Sequence, residues 1–291
     1  MSLFPYSVES KLCRSAYSLC TKESIVKALY VDAKKFLLKR IPSKQAKEIL
    51  ESYLQLPDKS AEVVEIAVLF RRMLSSAQNA NMKAGVIGDS IGGVENLGKI
   101  LFKFDPQKTL KQYAGLPDEL LNDIEKKLKP KGKIRKEPKS LWPKYCKTIL
   151  SSASFFSQFR NGQEFYEWAN LLYGNKKTMP ALPMIIAAEI EGVGYPLACD
   201  FLKELGFVEY GKPDVHVIEI FTGIGLCDAR PSPYQVQKVI SKIAESAGVS
   251  PYNVDKLFWL IGSGKFYKHE NLGKGGKIGS LKQAYIDYVS A

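Results

Sequence analysis

The chain has 291 residues, with 45% hydrophobic and 25% charged side chains. Two lobes are expected from that length, at roughly 150 residues per domain, and the composition excludes bulk disorder and the collagen, coiled-coil and disulfide-scaffold classes. Lys+Arg of 42 against Asp+Glu of 30 gives a net charge of +12. That surplus suits nucleic acid first and an anionic membrane second, and basic soluble proteins without either partner also carry it.

Helical spacing of apolar residues runs through almost the whole sequence. Helices are predicted near residues 8–20, 23–38 and 43–55. Residues 61–82 place Val63, Ile66, Ala67, Phe70, Met73, Leu74 and Ala77 on one face, with Ser60 able to cap the start. Further helices are predicted near 94–103, 117–128, 140–158 and 163–173. The stretch 129–139 (KPKGKIRKEPK) holds six Lys/Arg against Glu137 and reads as a basic loop within a helical lobe. Ser232 and Gln235 form a capping box with Pro233 at the first helical position and Gly248 past the end, and Ser250-Pro251 repeats the start signal for a helix through Ile261. Residues 265–282 hold five lysines against Glu270 and read as a loop or mobile segment. No period-2 strand set appears, so the fold class is all-α.

Apolar runs are broken within about ten residues, where a spanning helix needs roughly 20. Glu9, Lys11 and Arg14 interrupt the first twenty residues, so no signal-peptide core is read there. The five cysteines (Cys13, Cys20, Cys146, Cys199, Cys227) are odd in number, and none are spaced as C-x-x-C. With two histidines, this pattern fits reduced thiols in a cytosolic, nucleoid or nuclear protein that is not secreted, and no metal site is expected.

The informative segment is 183–221. Pro183 is read as opening a helix with Ile185, Ile186, Ala188 and Ile190. Gly192-Val193-Gly194 breaks it, and Pro196 starts a second helix with Leu197, Phe201, Leu202 and Leu205. Both glycines permit positive φ, Val193 can plug the space between the helices, and outward-facing amides form a phosphate cradle. Asp214 follows the second glycine by twenty residues (214 − 194) and stands before an apolar run, where it can cap a helix whose amides favour the ionised carboxylate. An αα-hairpin with an ordinary G-x-G turn and a capping aspartate remains the plain alternative.

In this order and spacing the sequence resembles the helix-hairpin-helix–GPD superfamily of base-excision DNA glycosylases. The resemblance rests on Ile190, Gly192-Val193-Gly194 and Ala198, on Pro213-Asp214-Val215-His216-Val217, on Leu74-Ser75-Ser76-Ala77-Gln78-Asn79, and on a late helix within Val254–Phe266. It implies a central helical lobe over residues 61–213 and a second lobe from 1–60 with 214–291. It implies double-stranded DNA with a damaged base as partner, bound by a monomer without membrane attachment. The implied catalytic residue is Asp214. Gly192, Val193, Gly194, Gln78 and Asn79, with Asn81 nearby, would contact DNA, and Tyr195, Phe258 and Trp259 would line the base pocket. No cofactor is implied beyond a structural monovalent cation at the hairpin. Members with lyase activity carry a lysine two residues after the second hairpin glycine. Pro196 stands there, Lys203 lies two turns on, and Lys212 precedes the aspartate. The resemblance therefore implies a monofunctional glycosylase or a DNA-binding protein without catalysis. An unrelated helical interaction protein is the third reading.

Overall fold

The computed structural model describes residues 23–57, 65–78 and 86–290. The predicted helix 8–20, Cys13, Cys20, Ser60, Val63, Asn79 and Asn81 lie outside the described residues. Among the described residues the fold is all-α, with no strand and only the isolated bridges Lys265↔Lys277 and Gly273↔Lys277. Also among the described residues, no helix is long and apolar enough to cross a membrane.

The helices, in chain order, are α1 (Glu23–Leu38), α2 (Ala46–Leu54), α3 (Ile66–Ala77), α4 (Val86–Ile91), α5 (Pro106–Tyr113), α6 (Pro117–Asp123), α7 (Leu141–Phe156), α8 (Gly162–Tyr173), α9 (Ala181–Glu189), α10 (Tyr195–Glu204), α11 (Val215–Gly223), α12 (Pro233–Ala247), α13 (Pro251–Ser263) and α14 (Lys282–Ser290). Three of these are absent from the sequence reading. α5 carried a legible signal: Asp105 accepts from the Lys108 amide and Pro106 takes the first helical position. α4 is too short for the apolar period to stand out, and α14, nine residues long, buries only Tyr285 and so shows no apolar face. The expected helix 94–103 is instead two 3-10 segments, Val94–Lys99 and Phe102–Phe104. The expected helix 117–128 passes into a π turn, Ile124–Leu128, and stops at left-handed Lys129.

The chain divides into two compact units, one taking residues up to Leu56 and from Val208 onward, the other Pro57–Phe207. In the first, α13 is central and packs against α1, α2, α11, α12 and α14. Its core holds Phe36, Tyr53, Phe221, Phe258, Phe266 and Tyr285, all fully buried. The capping box at Ser232 and Gln235 forms in both directions, and Gly248 ends α12 in the left-handed conformation. In the second unit, α7 is central and packs against α3, α5, α6 and α9. An aromatic cluster of Phe155, Phe156, Phe159, Phe165, Trp168 and Phe201 fills it with edge-to-face and tilted pairs.

The break between units falls at 207/208, six residues before the 213/214 break read from the sequence. The physical reason is local. The Val208 carbonyl accepts from the Tyr252 amide, and Gln237 grips both the Glu209 carbonyl and the Gly211 amide, so 208–213 belongs with the unit that carries Asp214.

The segment 265–282 is not a loose loop. Phe266 donates to Gly276, Gly276 to Glu270, and Ile278 to Gly264. A Cβ on Gly264, whose φ is +61°, would overlap the Gly279 carbonyl, so chain crossing explains the glycine there. The Lys268 amide and the His269 ring both meet the Tyr53 hydroxyl, which docks the segment on α2.

Candidate functional site: a helical hairpin and a capping aspartate

The hairpin lies in the second unit. α9 begins at Ala181, two residues before Pro183, and ends at Glu189. The chain turns through Ile190–Gly194, with Val193 donating to the Ile190 carbonyl, and α10 starts at Tyr195. Val193 is 3% exposed and packs inward, while Gly192 and Gly194 are exposed. A buried hairpin, as in an ordinary structural turn, is therefore not what the chain forms.

The two glycines do different work. Gly192 has φ +83°, and a Cβ on it would stand 2.5 Å from Thr148 Oγ1. Gly194 corrects the expectation of positive φ at both: its φ is −89°, and a Cβ there would meet only Pro196 Cδ at 3.7 Å. The hairpin is braced from α7. Ser151 Oγ accepts the Glu191 amide at 3.0 Å, and Lys147 pairs with Glu191 at 3.4 Å. Among the described residues the Gly192 and Gly194 amides donate no hydrogen bond, so both are available to an acceptor outside the chain.

α10 is fixed to α3 by a charged cluster. Asp200 accepts from Ser76 at 2.8 Å and lies 3.5 Å from Arg72 and 3.6 Å from Lys203. Lys203 is 4% exposed and also pairs with Glu204. Buried in these pairs, it is a structural cation. Pro196 occupies the second position of α10 and Tyr195, half-buried, the first.

Gln78 ends α3. Its Oε1 accepts the Gly88 amide at 3.0 Å, so part of the side chain is committed within its own unit. Asn79 lies outside the described residues.

Asp214 lies in the first unit and is the N-cap of α11, its Oδ1 accepting from His216 N at 3.0 Å and Val217 N at 3.2 Å. The segment before it is held closely. Gly211 N donates to Gln237 Oε1 at 3.2 Å, and a Cβ on Gly211 would come within 3.0 Å of Asp255, Ile240 and the Pro251 carbonyl. His216 packs against α13, where a Cβ on Gly262 would lie 2.6 Å from the His216 Cβ.

The capping amides alone predict a strongly acidic Asp214. The net effect is the reverse. Asp214 keeps partial solvent access, but burial by the surrounding protein raises its pKa first and the Asp255 carboxylate second, outweighing Lys212, the Val217 amide and His216. Burial also lowers the His216 pKa, with Asp214 opposing and Lys282 and Lys212 assisting. Asp255 was missed from the sequence, although an aspartate among Val254, Leu257, Phe258 and Ile261 breaks the apolar pattern of α13. Gln237, Thr148 and Ser151 left no signal, because their roles depend on which backbone each helix meets.

Phe258 does not line an open pocket. It is fully buried, with ring centroids 5.0 Å from Phe221 and 5.7 Å from Tyr285. Trp259, one position on, is partly buried and meets Tyr267 edge-on at 6.0 Å.

No protein-family model matches the chain. A segment of 89 residues is 22% identical to an 8-oxoguanine DNA glycosylase/AP lyase of Korarchaeum cryptofilum, covering 28% of this chain and 43% of that protein. A segment of 84 residues is 29% identical to a protein of the same name from Thermotoga sp., covering 27% and 41%. The matches thus span about two fifths of those relatives' lengths. A solved structure, the 8-oxoguanine glycosylase/lyase of Methanocaldococcus jannaschii with a 15mer DNA containing 8-oxoguanine, is 16% identical with a TM-score of 0.49, over 77% of this chain and 96% of that one. Over these segments the all-α chain is similar to proteins named 8-oxoguanine DNA glycosylase/AP lyase.

Proposed function

We propose that this protein is a monofunctional DNA glycosylase that hydrolyses the N-glycosidic bond of a damaged base flipped from duplex DNA. The observation that carries the reading is Asp214, a preorganised carboxylate fixed by two backbone amides at the head of α11, twenty residues after an exposed hairpin with free glycine amides. A base inside the stack must be extruded before any side chain reaches its sugar. The hairpin amides bind the phosphate backbone. As the C1′–N bond breaks, its electron pair leaves with the base and positive charge grows on the sugar. The Asp214 carboxylate stabilises that charge and receives a proton from the water that adds to C1′. The relatives' names make 8-oxoguanine the first lesion to test.

Those names also include AP lyase activity, which needs an amine at the sugar. Pro196 supplies none, and Lys203 is locked against Asp200 and Glu204. The expected products are therefore abasic sites that break only under alkali. A screen of duplexes carrying single lesions (8-oxoguanine, alkylpurines, uracil, mismatches), with and without alkali, tests this. Borohydride trapping of a protein–DNA adduct would contradict it and make Lys212 the first suspect. Salt-dependent DNA binding without excision of any lesion would leave the non-catalytic reading.

The pH dependence follows from the raised Asp214 pKa. The reaction needs the carboxylate, so the acid limb of the rate profile should lie above the ordinary carboxylate range of about 3.9. Asp255→Asn removes a neighbouring charge that raises Asp214 and should move the limb to lower pH. An unmoved limb in a folded Asp255→Asn protein would assign it to another group.

A further inference from the structure

We infer that the basic segment 131–142 and α4 form a second phosphate-binding site, which holds the DNA backbone beside the hairpin. The inference rests on the DNA-binding reading above. In the second unit a cavity of about 430 Å³ is lined by Lys131, Lys133, Arg135 and Lys139, with Ser90 and Trp142 among its other walls. None of the four cations makes an ion pair among the described residues. Lys136, which points elsewhere, is the one neutralised, by Glu125 at 2.7 Å. Arg135 acts electrostatically on Glu137 without forming an ion pair, and the four like charges around one concavity repel each other and gain by sharing an anion.

The segment is held in place rather than draped. The Lys131 amide donates to the Ser90 carbonyl at 2.7 Å, Lys136 is tied to Glu125, and Ser140 bonds Glu137 through both backbone and side chain. The backbone that carries the cations is therefore tied to α4 and to Glu125. The start of α7 opens beside them and adds its favourable dipole.

Placement on α7 identifies the anion. Leu141, Lys144, Thr148 and Ser151 fall on one stripe of that helix, at offsets of 3, 7 and 10 residues. Leu141 borders the cavity, Lys144 is exposed, Thr148 touches Gly192, and Ser151 holds the amide of Glu191. Cavity and hairpin are thus about 10 Å apart along one helix face, at 1.5 Å per residue. That separation is on the scale of neighbouring phosphates along one strand, which are spaced by more than the ~3.4 Å axial rise. An isolated phosphorylated small molecule would explain the cavity but not its alignment with the hairpin amides.

The test is the triple variant Lys133→Gln, Arg135→Gln and Lys139→Gln, all exposed side chains whose loss should leave the fold intact. Duplex affinity is measured from low to moderate salt for wild type, the triple variant, Gly194→Asp, and a control with equal charge loss at Lys35→Gln, Lys39→Gln and Lys47→Gln in the other unit. The triple variant should bind about tenfold more weakly or worse at 0.1 M salt, with the log–log salt slope reduced by about 2 to 3, while the control keeps its slope. A triple variant with wild-type affinity and slope overturns the second site while leaving the hairpin reading intact, provided Gly194→Asp still weakens binding. Equal slope loss in triple variant and control reveals diffuse charge and also overturns it. Wild type without salt-dependent duplex binding overturns the DNA reading itself.

Discussion

Asp214→Asn should lower the rate of base excision by about a hundredfold or more while leaving duplex binding nearly unchanged. Asparagine keeps the size of the side chain and an oxygen to accept from His216 and Val217, so α11 should retain its cap. What disappears is the negative charge that meets the sugar cation. The electrostatics of the folded protein sharpen the expectation. A carboxylate whose folded pKa is raised costs stability once pH exceeds its unfolded value, because the folded state prefers the proton. The sign is opposite to that of a salt-bridged carboxylate, whose stabilisation is present above its unfolded pKa. At neutral pH the neutral asparagine escapes the burial penalty and the repulsion from Asp255, so thermal stability should be equal to or above wild type. Single-turnover excision, duplex affinity and thermal melts on the same preparations check all three parts. An equally active, folded mutant would remove Asp214 from the chemistry.

That combination, a buried helix cap whose carboxyl prefers its proton, could be read only partly from the sequence. The cap was legible because Asp214 stands immediately before an apolar run. The direction of its pKa was not. It depends on the depth at which α11 packs and on Asp255, which approaches from α13, forty-one positions later (255 − 214). The helices with strong periodicity or explicit caps, such as α12 with its capping box, were legible for the same local reason. Short helices and the 3-10 segments were not, because they have too few turns to display a period. The basic segment 129–139 read as a solvated connector. Its cavity emerges only when the Lys131 amide meets Ser90, forty-one residues upstream (131 − 90). Likewise, Phe258 and Trp259 are adjacent in sequence and looked equivalent, yet one closes the core and the other lies at its margin, since neighbouring residues on a helix point about 100° apart.

The hairpin glycines provide the second large effect, because G-V-G looks symmetrical and is not. Gly192→Ala should destabilise the protein by about 2–4 kcal/mol, combining the cost of a left-handed non-glycine residue with overpacking. Its new Cβ would lie 2.5 Å from Thr148 Oγ1, whose β-branched side chain is stiff within α7 and donates to the Lys144 carbonyl. Gly194→Ala should cost no more than a few tenths of a kcal/mol, since φ is already negative and Pro196 Cδ is at ordinary contact distance. Thr148→Ala separates the two parts of the Gly192 penalty. Combined with Gly192→Ala it should remove the overlap and leave the backbone strain, so the double variant should be more stable than the sum of the singles by about 1–2 kcal/mol. Urea unfolding of the four proteins measures this coupling. Strict additivity would mean that the hairpin shifts away from α7 to admit the methyl group, and the Glu191–Ser151 bond would then be the contact to give way. Gly192→Ala should weaken duplex binding more than Gly194→Ala does, because only the former moves the turn that presents both free amides.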